Sequence, residues 1–289
     1  MLKPIPPGFQ EEVAIASAMG TAGDLALLAS EAQGFDWEIQ GLRLVARTQL
    51  GKQQIRAASL SWSAILRIDP GDAEAKLALD AAHQRRGDIP SSDPARKRVL
   101  LFAGHRIDEP GRRRPRFPKE KEQVARQAIL SAVEEERAAT GEIGHGIAGG
   151  ASGGDILFHE ICGQLGIPTQ LYLALPADKF IVHSVAPADA MWVERFNRVL
   201  ARSPTRVLQT TEEMPLWLSG KRDYSVWQRD NLWMLYNALA QGADNVTVIV
   251  LWDRGAGDRQ GGTADLVQQA QNHGARIVVL DTKLLFGLL

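Results

Sequence analysis

The sequence predicts an α/β protein in two parts: an all-α helical-hairpin module, then a Rossmann-like parallel sheet with helices on both faces. Three observations lead there. Residues 1–90 are rich in Ala, Leu, Glu, Gln and Arg and lack the Val/Ile/Thr alternation of strands. The stretch Ile89-Pro90-Ser91-Ser92-Asp93-Pro94-Ala95 is polar and proline-bearing, so a linker is expected over 91–97. From Arg98 to the end at 289, apolar runs alternate with amphipathic segments, the order of strand–helix–strand units.

In the first part, helices are expected near 10–19, 22–33, 37–50, 53–67 and 72–86. They are separated by the stop signals Gly20, Gly34, Gly51 and Pro70-Gly71. Turns this short make neighbouring helices antiparallel. The stretch from Gly51 to Gly87 resembles a tetratricopeptide repeat. Ala58, Trp62, Ile65 and Pro70 fall at the small, aromatic, apolar and proline positions of its second helix, and Ala75 onward resembles the next first helix. The resemblance implies a protein partner docked through the helical module.

In the second part, Val99-Leu100-Leu101-Phe102-Ala103 is a continuous apolar run, as for a strand buried on both faces. A helix over 120–139 follows, with Val124, Ala128, Ile129, Ala132 and Val133 on one face. Strands are expected ending at Gly146-Ile147-Ala148 and over 169–174, 206–208, 246–252 and 276–280. Helices are expected over 155–165, 188–201, 225–241 and 263–272. In such sheets, ligands sit at the carboxyl ends of the strands.

Three loops should meet there. One is Gly104-His105-Arg106, after the first strand. The second is Gly149-Gly150-Ala151-Ser152-Gly153-Gly154-Asp155, between a strand and a helix. The third runs from Asp253 to Thr263 and holds Gly255, Gly257, Gly261 and Gly262. Glycine lets a ligand approach the main chain closely, and free amides at a helix start attract phosphate. Ser152 adds a hydroxyl, and Asp155 is a helix cap or an acceptor for ribose or base. Neither the dinucleotide fingerprint nor a P-loop is present. The alternative is a tightly packed turn without ligand.

These residues carry a resemblance. The segment 146–168 is similar to the glycine-rich strand–loop–helix of the SLOG superfamily. That group joins the DprA/Smf-like proteins, the Lonely Guy (LOG) enzymes and nucleotide-sensing domains of bacterial signalling systems. Phe102-Ala103-Gly104-His105-Arg106 resembles the first-strand motif of its YspA-like members, Arg229-Asp230-Asn231 its arginine-bearing helix, and Gly261-Gly262-Thr263 its second glycine motif. The resemblance implies a nucleotide or nucleotide-derived ligand held by these three loops with Arg229. LOG enzymes carry a catalytic glutamate where this chain has Leu266. The neighbouring Asp265 points elsewhere on a helix, about 100° away. The expectation is therefore ligand binding or sensing without a required cofactor. If the protein is a hydrolase of N-glycosidic or phosphate bonds, Asp155, Asp253 or Asp265 would serve it. A third reading is an adaptor whose Rossmann-like part is only structural.

Other residues are weighed on chemistry alone. Arg229 extends the apolar stripe Leu232, Tyr236 and Leu239 inward, so it is paired or binds an anion. Trp252 at a strand end is the better base-stacking candidate, whereas Trp227 and Trp233 read as core or interface. Lys179 reads as solvent-facing. His159-Glu160 lacks the second histidine of a zinc motif, since position 163 is glycine, so no metal is expected. Cys162, the one cysteine, reads as a small core residue. The run Arg112-Arg113-Arg114-Pro115-Arg116 either clamps an anion or is a solvated loop. The formal charge of −1 gives no field for nucleic acid. No apolar run approaches a membrane span, and the first residues lack a signal-peptide core, so a cytoplasmic protein is expected; the resemblance leaves a homo-oligomer open, since related domains are often dimeric.

Overall fold

A computed structural model of the chain describes residues 3–86, 97–255 and 262–288. The first helix, α1 (Pro7–Met19), opens on Pro6-Pro7, where a missing N–H breaks no intrahelical bond. In front of α2 (Ala22–Ala32), the Thr21 hydroxyl accepts from the Asp24 N–H and the Asp24 carboxylate accepts from the Thr21 N–H, a capping box. Then come α3 (Glu38–Gly51), α4 (Ile55–Ile68) and α5 (Ala73–Arg86). Between the last two, the Asp69 carboxylate accepts from the Gly71 N–H and Asp72 caps α5 by accepting from the Ala75 N–H. Each helix expected from the sequence forms, with only its ends displaced.

Consecutive helices pack on one another: α2 on α3, α3 on α4, α4 on α5. Phe9, Leu25, Leu42, Trp62 and Ile65 fill the space between them. Arg43 pairs with Asp72 and, at 2.9 Å, with Glu74, tying α3 to α5. A distant segment, Met214–Arg222, belongs to this same unit. Its Trp217 packs edge-on to Phe9 with ring centroids 4.9 Å apart, and the indole N–H donates to Glu12 at 3.3 Å. Sequence periodicity assigned that segment to the sheet unit, because one turn of 3-10 helix at Leu216–Leu218 carries no period. The linker expected over 91–97 lies outside the described residues, Lys97 excepted.

The larger unit comprises Arg96–Glu213 and Asp223–Leu289. Its described strands are β1 (Arg98–Gly104), β2 (Ile143–Ala148), β3 (Thr169–Leu173), β4 (Thr205–Val207), β5 (Val246–Trp252) and β6 (Arg276–Asp281). They form one six-stranded sheet, all neighbours parallel, in the order β4-β3-β2-β1-β5-β6. Around it lie α6 (Glu122–Thr140), α7 (Gly154–Gln164), α8 (Ala177–Ser184), α9 (Ala190–Leu200), α10 (Val226–Leu239), α11 (Thr263–Asn272) and α12 (Thr282–Phe286). The architecture is α/β and Rossmann-like.

β1 and β5 bury every residue from Val99 to Ala103 and from Val246 to Leu251. Successive side chains point to opposite faces, so helices cover both faces of the sheet. One polar residue in that core, Thr247, is satisfied: its hydroxyl donates to Glu136 on α6 at 2.8 Å, and Glu136 also pairs with Arg276 on β6. The chain steps outward from β1 to β4, then returns to lay β5 on the other side of β1. This reversal leaves a crevice outside the carboxyl ends of β1 and β5.

Two helices escaped sequence reading. α8 is short and follows Pro176, and α12 is a single turn. Asp281 caps α12 by accepting from the Lys283 and Leu284 N–H groups, and Gly287 ends it in the left-handed region at φ 67°. Among the described residues, no helix is long and apolar enough to cross a membrane.

Candidate functional site

A cavity of about 560 Å³ occupies the crevice. Gly104, His105 and Arg106 reach it from β1, and Gly149, Ala151 and Asp155 from the β2–α7 loop. Trp252 comes from β5, and Gly262 and Thr263 from the start of α11. All three loops expected to meet therefore do so. Gly257 and Gly261 of the third loop lie outside the described residues. α8 and the amino end of α10 supply further walls, among them His183, Trp227, Asp230 and Asn231.

The Gly149–Asp155 loop is folded on itself more than its composition suggests. Gly153 has φ +107° and bridges antiparallel to Arg106. A Cβ there would lie 2.8 Å from the Ile107 nitrogen and 2.9 Å from the His105 oxygen. At Gly150 a Cβ would come within 2.6 Å of the Phe196 ring, so this glycine serves packing and does not line the cavity. Gly154 packs against Gly104, and its N–H donates to the His105 carbonyl. The Ser152 N–H donates to the Ser184 carbonyl, and the Ala151 N–H to the Asp155 carboxylate. The phosphate-cradle expectation is corrected to this extent: these three amides are bonded within the protein. Ser152 itself is buried and does not line the cavity.

Beneath the loop, His159 on α7 holds it in place. Its Nε2 lies 3.0 Å from the Gly149 carbonyl and its Nδ1 2.8 Å from the Thr169 hydroxyl. A carbonyl only accepts, so Nε2 carries the proton and the Thr169 hydroxyl donates to Nδ1. Burial pushes this histidine down to about 4. A depressed histidine loses stability as pH falls from its unfolded value near 6.5 toward 4, because only the unfolded chain takes up the proton. His159→Ala is expected to cost about 2–4 kcal/mol at pH 7 by leaving the Gly149 carbonyl unpaired over a void. The difference from wild type should shrink by pH 4. Urea unfolding at pH 7 and pH 4 checks this, and a pH-independent difference would speak against the neutral buried ring.

Two aspartates face the cavity from different helices. Asp155, in the first turn of α7, is buried and takes the Ala151 N–H at 3.2 Å and the Gly104 N–H. Burial raises it to about 7, against the pull of those amides and of Arg106. Asp230, on α10, is 5% exposed, and its Oδ1 has no hydrogen-bond partner among the described residues. Burial raises it to about 8, and the charge of Asp155 adds to the shift. The sequence pattern singles out Asp230 only as the neighbour of Arg229. The one signal that could have found it is helical phase, since neighbouring residues point about 100° apart.

Arg229 itself does not line the cavity. It is buried, and its guanidinium donates to the Gln209 side chain at 3.1 Å. Asp265 also lies off the cavity and accepts from Gln228 at 3.2 Å, while Leu266 is buried in the core. Of the basic run, Arg116 reaches the cavity. Its loop wraps around Asp108, whose carboxylate accepts from the Arg116 and Phe117 N–H groups at 2.9 Å and lies 3.4 Å from Arg112.

At the rim, His105 Nε2 accepts from the Asp253 N–H at 3.1 Å, with the Asp253 carboxylate 3.2 Å away. Burial lowers His105 despite that carboxylate. Burial also opposes the charge on Asp253, but the Gly255 N–H and His105 outweigh it and hold Asp253 below the usual carboxylate range. The Trp252 indole N–H donates to the Gly255 carbonyl at 2.9 Å, which fixes the ring at the cavity wall. Lys179 donates to the Thr210 carbonyl, so it ties α8 to the segment after β4 instead of pointing only to solvent. Burial pushes the Cys162 thiol up to about 12, leaving an inert core residue.

Chemically, the cavity joins aromatic faces, two guanidinium groups and two buried carboxyls in one space. No protein-family model matches the chain, and no curated protein matches it.

Proposed function

We propose that the larger unit binds a nucleotide or nucleotide-derived ligand in this cavity and acts as a sensor, with the helical module docking a protein partner. The observation that carries the reading is the lining of the switch-point cavity: Trp252 and Trp227 for a base, Arg106 and Arg116 for phosphate, and Asp155 and Asp230 for hydrogen-bond donors. The start of α11 at the cavity adds a favourable dipole for an anion. The resemblance of Gly146–Pro168 to the SLOG strand–loop–helix agrees with it. A purely structural domain needs no cavity at its strand ends, so the cavity speaks for a ligand. Exposed Leu60, Ile68 and Leu77 on α4 and α5 support a partner for the helices.

Thermal-shift titration with a nucleotide panel, including ADP-ribose and cyclic di- and oligonucleotides, tests the reading. At least one member should raise the melting temperature by several degrees, and a panel without any shift would overturn it. Mass spectrometry of co-purified small molecules supplies an independent answer.

A second reading, hydrolysis of a nucleotide bond, rests on the two carboxyls whose proton affinities lie near neutrality, where general acids and bases work best. Under it, Asp155→Asn abolishes release of base or phosphate from a bound nucleotide. Under the sensing reading no such release occurs in the wild type.

A further inference from the structure

We infer that Asp155 and Asp230 together form a diol-binding subsite, which selects a ligand carrying a ribose cis-diol over its 2′-deoxy counterpart. This rests on the nucleotide reading of the cavity and names the part of the ligand that the acids hold.

The two carboxyls line one cavity from two different helices, α7 and α10, and each residue is at least nine-tenths buried. Asp155 is held by protein donors: the Ala151 N–H fixes one of its oxygens. Asp230 is different. Its Oδ1 is buried without any hydrogen-bond partner among the described residues. A buried acceptor left unpaired is costly, more so when charged, and folded proteins rarely keep one that nothing will satisfy. A ligand that donates hydrogen bonds removes that cost.

The chemistry of the donor follows from the neighbours. Once ionised, the two carboxyls repel a phosphate, so the phosphate end of a ligand does not belong here. A cationic ligand is disfavoured as well, because Arg106 and Arg116 line the same cavity. What remains is a neutral group with two donors side by side. A cis-diol presents two O–H groups on adjacent carbons, one for each carboxyl. The proton affinities agree: burial brings both acids into the neutral range, and the charge of Asp155 adds to the rise at Asp230, so an O–H donor meets acceptors that ionise readily as it binds.

The test uses the full chain with ADP and GDP as probes, each beside its 2′-deoxy form, and calorimetric or fluorescence titration. A hydrogen bond to a charged group implies about a tenfold or greater preference for the ribonucleotides. Asp230→Ala should bring that ratio close to one by lowering the ribonucleotide affinity toward that of the 2′-deoxy forms. The melting temperature of the variant, expected to rise, shows that it folds. Equal binding of ribo and 2′-deoxy probes by the wild type overturns the subsite and leaves the nucleotide reading standing. If IDP binds much more weakly than ADP while deoxy and ribo forms are equal, the acids read a base amino group, and the diol assignment is overturned. No binding by any probe at millimolar concentration counts against the nucleotide reading itself, and the subsite falls with it.

Discussion

Replacing Asp230 by asparagine is expected to raise the melting temperature of the sheet unit at pH 8 and to change it little at pH 4. The sign follows from burial, which lifts this carboxyl from the ordinary aspartate value to about 8. Below about 4 both folded and unfolded chains keep the proton, and the residue carries no penalty. Between about 4 and 8 the unfolded chain releases the proton while the folded chain retains it, so wild-type stability falls as pH rises through that window. Asparagine has no such loss. The gain at pH 8 is on the order of 2–4 kcal/mol, discounted from the full shift because the cavity admits water. That corresponds to roughly 5–10 °C for a unit of this size. Scanning calorimetry at pH 4, 6 and 8 checks it, and a difference that does not grow with pH would show that Asp230 is not held protonated. Asp155 titrates in the same window and its charge raises Asp230, so the double asparagine variant should gain less than the sum of the singles. A carboxyl that destabilises its own fold while facing a cavity is what a stability–function trade-off looks like.

Gly153→Ala carries the other large effect, in the opposite direction. The new Cβ would press on the Ile107 nitrogen and the His105 oxygen, both main-chain atoms that cannot rotate away. The backbone at φ +107° is strained for any L-residue. Crowding and strain together cost about 3–5 kcal/mol. The antiparallel bridge from Gly153 to Arg106 would open, and with it the junction of the first two loops. Ligand binding should fall with stability. Gly163→Ala on the same helix is the control, since a Cβ there meets open space. It should stabilise by about 0.5–1 kcal/mol through helix propensity. Denaturant unfolding of both variants decides the matter: equal effects would mean that Gly153 is an ordinary helix-entry glycine.

The outline of the fold was legible in residue patterns. Trp62 and Ile65 recur at helical spacing and proved to be buried core, and the run Val246–Leu251 proved to be a strand covered on both faces. The three loops were legible as well, because glycines that follow an apolar strand and precede a helix sit at one end of a parallel sheet. His105, Arg106, Asp155, Trp252 and Thr263 meet at the cavity. Arg229, Gly150, Ser152 and Asp265 do not line it. Glycine content alone does not say whether a loop stands open to a ligand or packs against its own chain, and at Gly150 and Gly153 it packs.

The sequence by itself therefore determined most of the elements, α8 and α12 excepted, their order and the end of the sheet at which the loops gather, because those depend on local periodicity and turn chemistry. The tertiary structure alone decided three things. It paired β5 beside β1, which sets the crevice. It drew Met214–Arg222 into the helical unit. And it turned Asp230 instead of Arg229 toward the cavity that Asp155 also lines. Each depends on contacts between residues far apart in the chain. A rotation of about 100° between helix neighbours, invisible in composition, separates a buried arginine from a carboxyl that lines the cavity.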